Sequence, residues 1–162
     1  MSRLPEGLSV WHPAALIATF GGIGLLPRAP GTWGSLAATL VAIALVELAG
    51  SVALILATAV TTAIGWWATS NYLARGDDPD PGPVVIDEVI GQWITILAVP
   101  PTAVYYASAF LLFRIFDIFK PWPIRWLDRR VPGAAGVILD DVLAGIFAAI
   151  VLLSVQATVQ EL

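Results

Sequence analysis

Hydrophobic and polar positions alternate along this chain in long blocks. An apolar, glycine-rich run covers residues 14–26, and the turn-rich PRAPGTWGSL of residues 27–36 separates it from an apolar helix over 36–48. Ser35 is placed to cap that helix. Ala49, Gly50 and Ser51 form a tight uncharged connection to a second apolar helix over 52–73, whose Trp66, Trp67 and Tyr72 read as an interfacial aromatic belt. Pro79, Pro81 and Pro83 then force a solvent loop over 74–85. Another apolar stretch opens at Ile86-Asp87-Glu88 and is interrupted by Pro100-Pro101, which divides it into two helices because a residue before proline is driven out of helical geometry. A polar island over 114–141 precedes the last apolar helix, 142–155. Asp140 and Asp141 open that helix, and Ala144, Gly145, Ala148 and Ala149 suit it to close packing.

These blocks predict an all-α fold in a single domain over residues 1–162, an integral membrane helical bundle with a broken or re-entrant hairpin at 89–113. Composition points the same way. Of 162 residues, 58% are hydrophobic and 12% charged, with a mean hydropathy of +0.84, against about 25% charged in soluble domains. The run 14–26 is short for a crossing and fits an embedded or re-entrant segment. Pro5, Glu6 and Pro13 interrupt any secretory signal at the N-terminus. The net charge of −4, with no basic face, sets nucleic-acid binding aside. With no cysteine, disulfides, thiolate zinc sites and a cysteine nucleophile are excluded, and His12, the one histidine, reads as an interfacial residue.

Basic residues orient the chain. Arg3 and Arg28 precede the first long helix, Arg75 follows the second, and Arg114, Lys120, Arg125, Arg129 and Arg130 all lie in the island. The positive-inside rule therefore places the N-terminus, the 74–88 loop and the island in the cytoplasm, with a short hairpin between the last two. That topology brings Asp87, Glu88, Asp117, Asp128, Asp140 and Asp141 to one membrane face. Capping and the helix dipole explain one acid per helix start, not two. The second acid of each pair calls for a hard divalent cation or a cationic side chain beside it. Mg²⁺ suits oxygen-only ligands together with phosphate oxygens. Lys120, Arg129 and Arg130 can grip phosphate, and the helix start at Thr32 and Ser35 can contribute backbone amides. Trp122 and Trp126 read as anchors at head-group depth.

PGTWGSL at 30–36, DEVIGQWIT at 87–95, and FRIFDIFKPWPIRWLDRR followed by GVILDDVLAG within 113–145 together resemble the phosphatidylglycerophosphatase A family of bacterial membrane lipid phosphatases. The resemblance covers nearly the whole chain. It implies Mg²⁺-dependent removal of the terminal phosphate of phosphatidylglycerophosphate, yielding phosphatidylglycerol, at the cytoplasmic face of the inner membrane. It also implies a site built from Asp87, Glu88, Asp117, Lys120, Asp128, Arg129, Arg130, Asp140 and Asp141. Asp87, Glu88, Asp140 and Asp141 are the expected metal ligands. Without cysteine or a second histidine, activated water or an aspartate must attack. Two rival classes fit less well. A CDP-alcohol phosphotransferase would need an extended aspartate motif that is absent, and a cation transporter would place acids mid-span and show an internal repeat.

Overall fold

A computed structural model describes residues 4–160; Arg3, counted in the orientation argument, lies outside them. Every regular element among the described residues is helical: α1 (Pro13–Ala18), a 3-10 turn (Ile23–Leu25), α2 (Pro30–Leu73), α3 (Ile86–Leu97), α4 (Ala103–Phe119), α5 (Ile124–Arg130) and α6 (Gly133–Gln160).

The 44 residues of α2 are two arms, not one rod, because Gly50 leaves helical geometry at φ 79°, ψ 171°. A Cβ added to Gly34 would lie 3.0 Å from Val85, and one added to Gly65 would lie 3.0 Å from Ile86. In a straight helix Gly34 and Gly65 would be about 46 Å apart. Both touch neighbouring residues of one segment, so the arms fold back on each other at Gly50. The predicted connection at 49–51 thus shrinks to a single residue whose positive φ glycine adopts without strain. Each arm is roughly 30 Å long, which matches the hydrocarbon thickness of a bilayer.

Two helix starts differ from expectation. The first arm begins at Pro30, not at residue 36, with Ala29 before it in the left-handed region at φ 48°. Proline's fixed φ and missing N–H suit the first helical position, so PGTWGS winds as helix and its glycines serve to make room. Ser35 is therefore no cap; its buried hydroxyl donates to Gly31 O one turn back, at 2.9 Å. Likewise α6 begins at Gly133, not at residue 142. A Cβ on Gly136 would strike the Val131 carbonyl, so glycine there lets the chain turn tightly into a helix continued by Val137, Ile138 and Leu139. Asp140 and Asp141 consequently lie two turns inside the helix.

The hairpin breaks at Pro100-Pro101 as predicted, and Thr102 caps α4 by accepting from Tyr105 N–H. Helix α3 is the central element, buried at Val89, Ile90, Gly91, Gln92, Trp93, Thr95 and Ile96. Trp93 Nε1 donates to Ala38 O at 2.8 Å, and the Thr95 hydroxyl lies 3.2 Å from Gly145 O. A Cβ on Gly91 would meet Asp141 O at 2.5 Å, and one on Gly145 would strike Gly91 O, so the two glycines set how closely α3 and α6 pack. These pairings advance together along both partners, so α3 runs parallel to the first arm of α2 and to α6. Helix α4 returns the other way, and residues 30–32, 87–88, 114–120 and 140–141 meet at one end.

Helices α2 and α6 are long and apolar enough to cross a membrane, and most of each remains uncovered by the rest of the protein. Leu40, Leu48, Val52, Leu56 and Val60 face outward. Trp66 and Trp67 are also exposed, but Tyr72 is buried and does not join them in a belt. Near the N-terminus, Ala14, Ala15 and Ala18 of α1 are buried, and Ala18 O accepts from Val85 N–H at 2.8 Å. His12 Nδ1 accepts from Ala14 N–H and caps α1.

Candidate active site

At the shared end of these helices lies a cavity of about 460 Å³, walled by the start of α2, the 74–85 loop, the first turn of α3, the last turns of α4 and the acid pair of α6. Oxygens from Asp87, Glu88 and Asp141 all lie within 4.8 Å of one another there. Asp87 and Asp141 are buried. One oxygen of Asp87 accepts the Glu88 N–H at 3.0 Å, which ties that carboxylate to the open end of α3. Glu88 Oε2 and Asp141 Oδ2 are buried without a hydrogen-bond partner among the described residues. Three clustered carboxylates with two unsatisfied oxygens repel one another and lose hydration. A hard cation that takes oxygen ligands resolves both penalties, so the donor set fits a divalent ion of the Mg²⁺ type.

Two side chains bring positive charge to the same cavity. Arg114 pairs closely with Asp117, stands 3.9 Å from Glu88, and donates to Ser35 Oγ at 3.4 Å. Lys120 Nζ lies 2.5 Å from Asp140 Oδ2 and 2.6 Å from Asp128 Oδ1. Burial works against its charged form, but the hydrogen bonds to Asp128 and Asp140 outweigh burial and hold the ammonium above the ordinary lysine range.

Of the residues predicted for the site, Asp87, Glu88, Asp117, Lys120, Asp140, Asp141 and Thr32 line this cavity. Asp140, expected among the metal ligands, is turned to Lys120, so three carboxylates gather where four were expected. Ser35 lies behind the wall as the acceptor for Arg114. Asp128 touches the site through Lys120. Arg129 and Arg130 line two neighbouring clefts, not the acid cavity.

Sequence reasoning did not assign Arg114, Gly31, Asp80 or Gln92 to the site. Arg114 did carry a signal, since a charged residue inside an apolar helix marks a functional position by default. Gly31 gave none: a Cβ there would overlap Glu88 Oε1, which only the packed arrangement reveals. Asp80 lines the cavity from the loop. Gln92 sits one turn from Glu88, and both its amide atoms are buried without a partner among the described residues.

An apolar helical bundle with carboxylates and cations gathered around one terminal cavity fits a membrane enzyme that acts on phosphate esters. The family model described as phosphatidylglycerophosphatase A matches residues 16–156. The chain is 39% identical over 150 residues to a phosphatidylglycerophosphatase A of Haemophilus influenzae, covering 92% of each chain. It is 39% identical over 140 residues to one from Escherichia coli, covering 86% of this chain and 79% of that one. A Bacteroides thetaiotaomicron relative named putative phosphatidylinositol-3-phosphatase is 43% identical over 144 residues, covering 85% and 89%. No solved structure matches. The chain belongs to the phosphatidylglycerophosphatase A family, and it is a phosphatase.

Proposed function

We propose that the protein hydrolyses the terminal phosphomonoester of phosphatidylglycerophosphate with a bound Mg²⁺ ion, releasing phosphatidylglycerol and phosphate at the cytoplasmic face of the inner membrane. The observation that carries this reading is the buried trio Asp87, Glu88 and Asp141, with unpartnered oxygens, beside Arg114 and Lys120. Asp87, Glu88 and Asp141 would hold the ion. When bound, Mg²⁺ supplies charge neutralisation at the transferring phosphoryl group and lowers the pKa of an attacking water.

The remaining roles belong to the chain itself. Lys120 faces the cavity and offers its ammonium to phosphoryl oxygens, with Asp128 and Asp140 fixing its direction. The start of α2 opens on the same space at Gly31 and Thr32, and Ala29 gives no side-chain cap, so the dipole of that helix favours an anion there. Arg114 holds Glu88 and Asp117 in place from within the wall.

The alternative of a cation path finds no support in this arrangement, since the acids converge at one end of the bundle and do not form a track through it. The relatives' names also bear on substrate class. In phosphatidylglycerophosphate and in a phosphatidylinositol 3-phosphate alike, three carbons separate the phosphomonoester from the phosphodiester, and we propose that this spacing is what the site accepts.

Phosphate release from phosphatidylglycerophosphate by the purified protein in detergent tests the proposal. Both EDTA and Asp141→Asn should abolish turnover while circular dichroism reports an intact helical fold. Full activity in EDTA would remove the metal from the mechanism.

A further inference from the structure

We infer that the cationic cleft beside the acid cavity is a second anion subsite, which takes the phosphodiester of the lipid while the acid cavity takes its phosphomonoester. The inference rests on the lipid-phosphatase reading and adds to it how the substrate is recognised.

The cleft, about 460 Å³, lies between the turn after α4 and helix α5; Lys120, Trp122, Arg125, Trp126, Arg129 and Arg130 line it, and no acid does. Two of its cations are already committed. Lys120 is held by Asp128 and Asp140, and Arg125 Nη2 donates to Phe119 O at 3.0 Å, closing the turn. Arg129 and Arg130 form no ion pair among the described residues. They also border a cleft on their other side, but Asp80 and Asp128 line that one and disfavour an anion there. The acid-free cleft is therefore where a phosphate adds favourable charge without meeting a carboxylate.

Position supports the same assignment. Lys120 lines both this cleft and the acid cavity, so one side chain separates the two sites. A ligand with a phosphate in each would span that side chain, which suits a short polyol bridge. Trp122 and Trp126, exposed by 80% and 55%, form the rim. Indole rings settle at head-group depth, the level at which a lipid carries its phosphodiester. Arginine suits such a diester because its planar donors can engage two phosphate oxygens at once.

The rival explanation is that Arg129 and Arg130 attract any anionic membrane. Kinetics in an uncharged detergent separate the two. With phosphatidylglycerophosphate and Mg²⁺, Arg129→Ala/Arg130→Ala should raise KM roughly tenfold or more, as expected for loss of charge-assisted hydrogen bonds, and leave kcat within about twofold. Phosphatidylglycerol, which has the diester alone, should compete with substrate in the wild type and lose that competition in the variant. Inhibition by inorganic phosphate, which needs only the acid cavity, should not change. Arg129→Lys/Arg130→Lys should restore part of the KM effect, which also controls for folding. An unchanged KM, a fall in kcat alone, or equal weakening of both inhibitors would overturn the inference. A wild-type protein that releases no phosphate would instead sink the phosphatase reading itself.

Discussion

At the scale of single residues, the site depends on what surrounds the three carboxylates. Gly31 is buried against Glu88, and a methyl group there would occupy the place of the carboxylate oxygen. The obstructing atom is the end of a flexible side chain, so Gly31→Ala should fold with little loss of stability but push Glu88 out of the cluster. We expect the Mg²⁺ concentration for half-maximal activity to rise roughly ten- to a hundredfold, the range seen when support around a metal ligand is disturbed; an unchanged requirement would show that Glu88 is not a ligand. Arg114 makes the opposite case. It is 14% exposed and faces Asp117 and Glu88 at 12% and 15%. Removing a buried cation leaves its partners uncompensated, so Arg114→Met should lower stability by about 3–5 kcal/mol in thermal unfolding in detergent. Arg114→Met/Asp117→Leu, which removes both charges, should recover most of the loss. If the single variant melts with the wild type, water must already screen the pair.

At the scale of elements, the proposed metal site requires α3 and α6 to approach closely enough for Glu88 and Asp141 to meet. Gly91 and Gly145 allow it, because a side chain at either would run into the backbone of the other helix. Gly145→Ala should cost about 1–3 kcal/mol from overpacking and abolish activity although every acid is retained. Full activity in a folded Gly145→Ala protein would mean that the helices can part without disturbing the trio. Most elements here were legible in sequence: the apolar blocks, the hinge at Gly50, the proline-broken loop and the hairpin at Pro100-Pro101. The starts of α2 and α6 were not. Glycine and proline in PGTWGS and VPGAAG read as turn signals, yet both segments start helices: Gly34 packs against the distant Val85, and Gly136 leaves room for the Val131 carbonyl in the tight turn just before it. The same limit applied to the site. Clustering of acids was readable from topology, but the partition of Asp140 to Lys120 and of Asp141 to the trio depends on one step of helix rotation, about 100°, which spacing alone could not orient once the helix start was misplaced. The room that Gly31 leaves for Glu88 has no sequence signature at all.

At the scale of the whole molecule, the absence of cysteine makes single-cysteine labelling a direct test of orientation. The fold puts residues 30–32, the 74–85 loop and the island at one end, and the Gly50 fold-back and Pro100-Pro101 at the other. With five of the chain's eight basic residues in the island, Arg114, Lys120, Arg125, Arg129 and Arg130, the positive-inside rule leads us to propose that the site end faces the cytoplasm. In right-side-out vesicles, Ser51→Cys should react with a membrane-impermeant maleimide, whereas Asp77→Cys and Val131→Cys should react only after the membrane is opened. The hairpin adds a finer expectation. Helices α3 and α4 have 12 and 17 residues, about 18 Å and 26 Å, both short of a hydrocarbon core of roughly 30 Å. Their turn should therefore stop within the bilayer, and Thr102→Cys should label more slowly than Ser51→Cys from the outside. Labelling of Asp77→Cys from outside in intact vesicles would reverse the orientation and move the acid cavity away from the cytoplasmic face. Rapid labelling of Thr102→Cys would make the hairpin a full crossing and leave the site where it is.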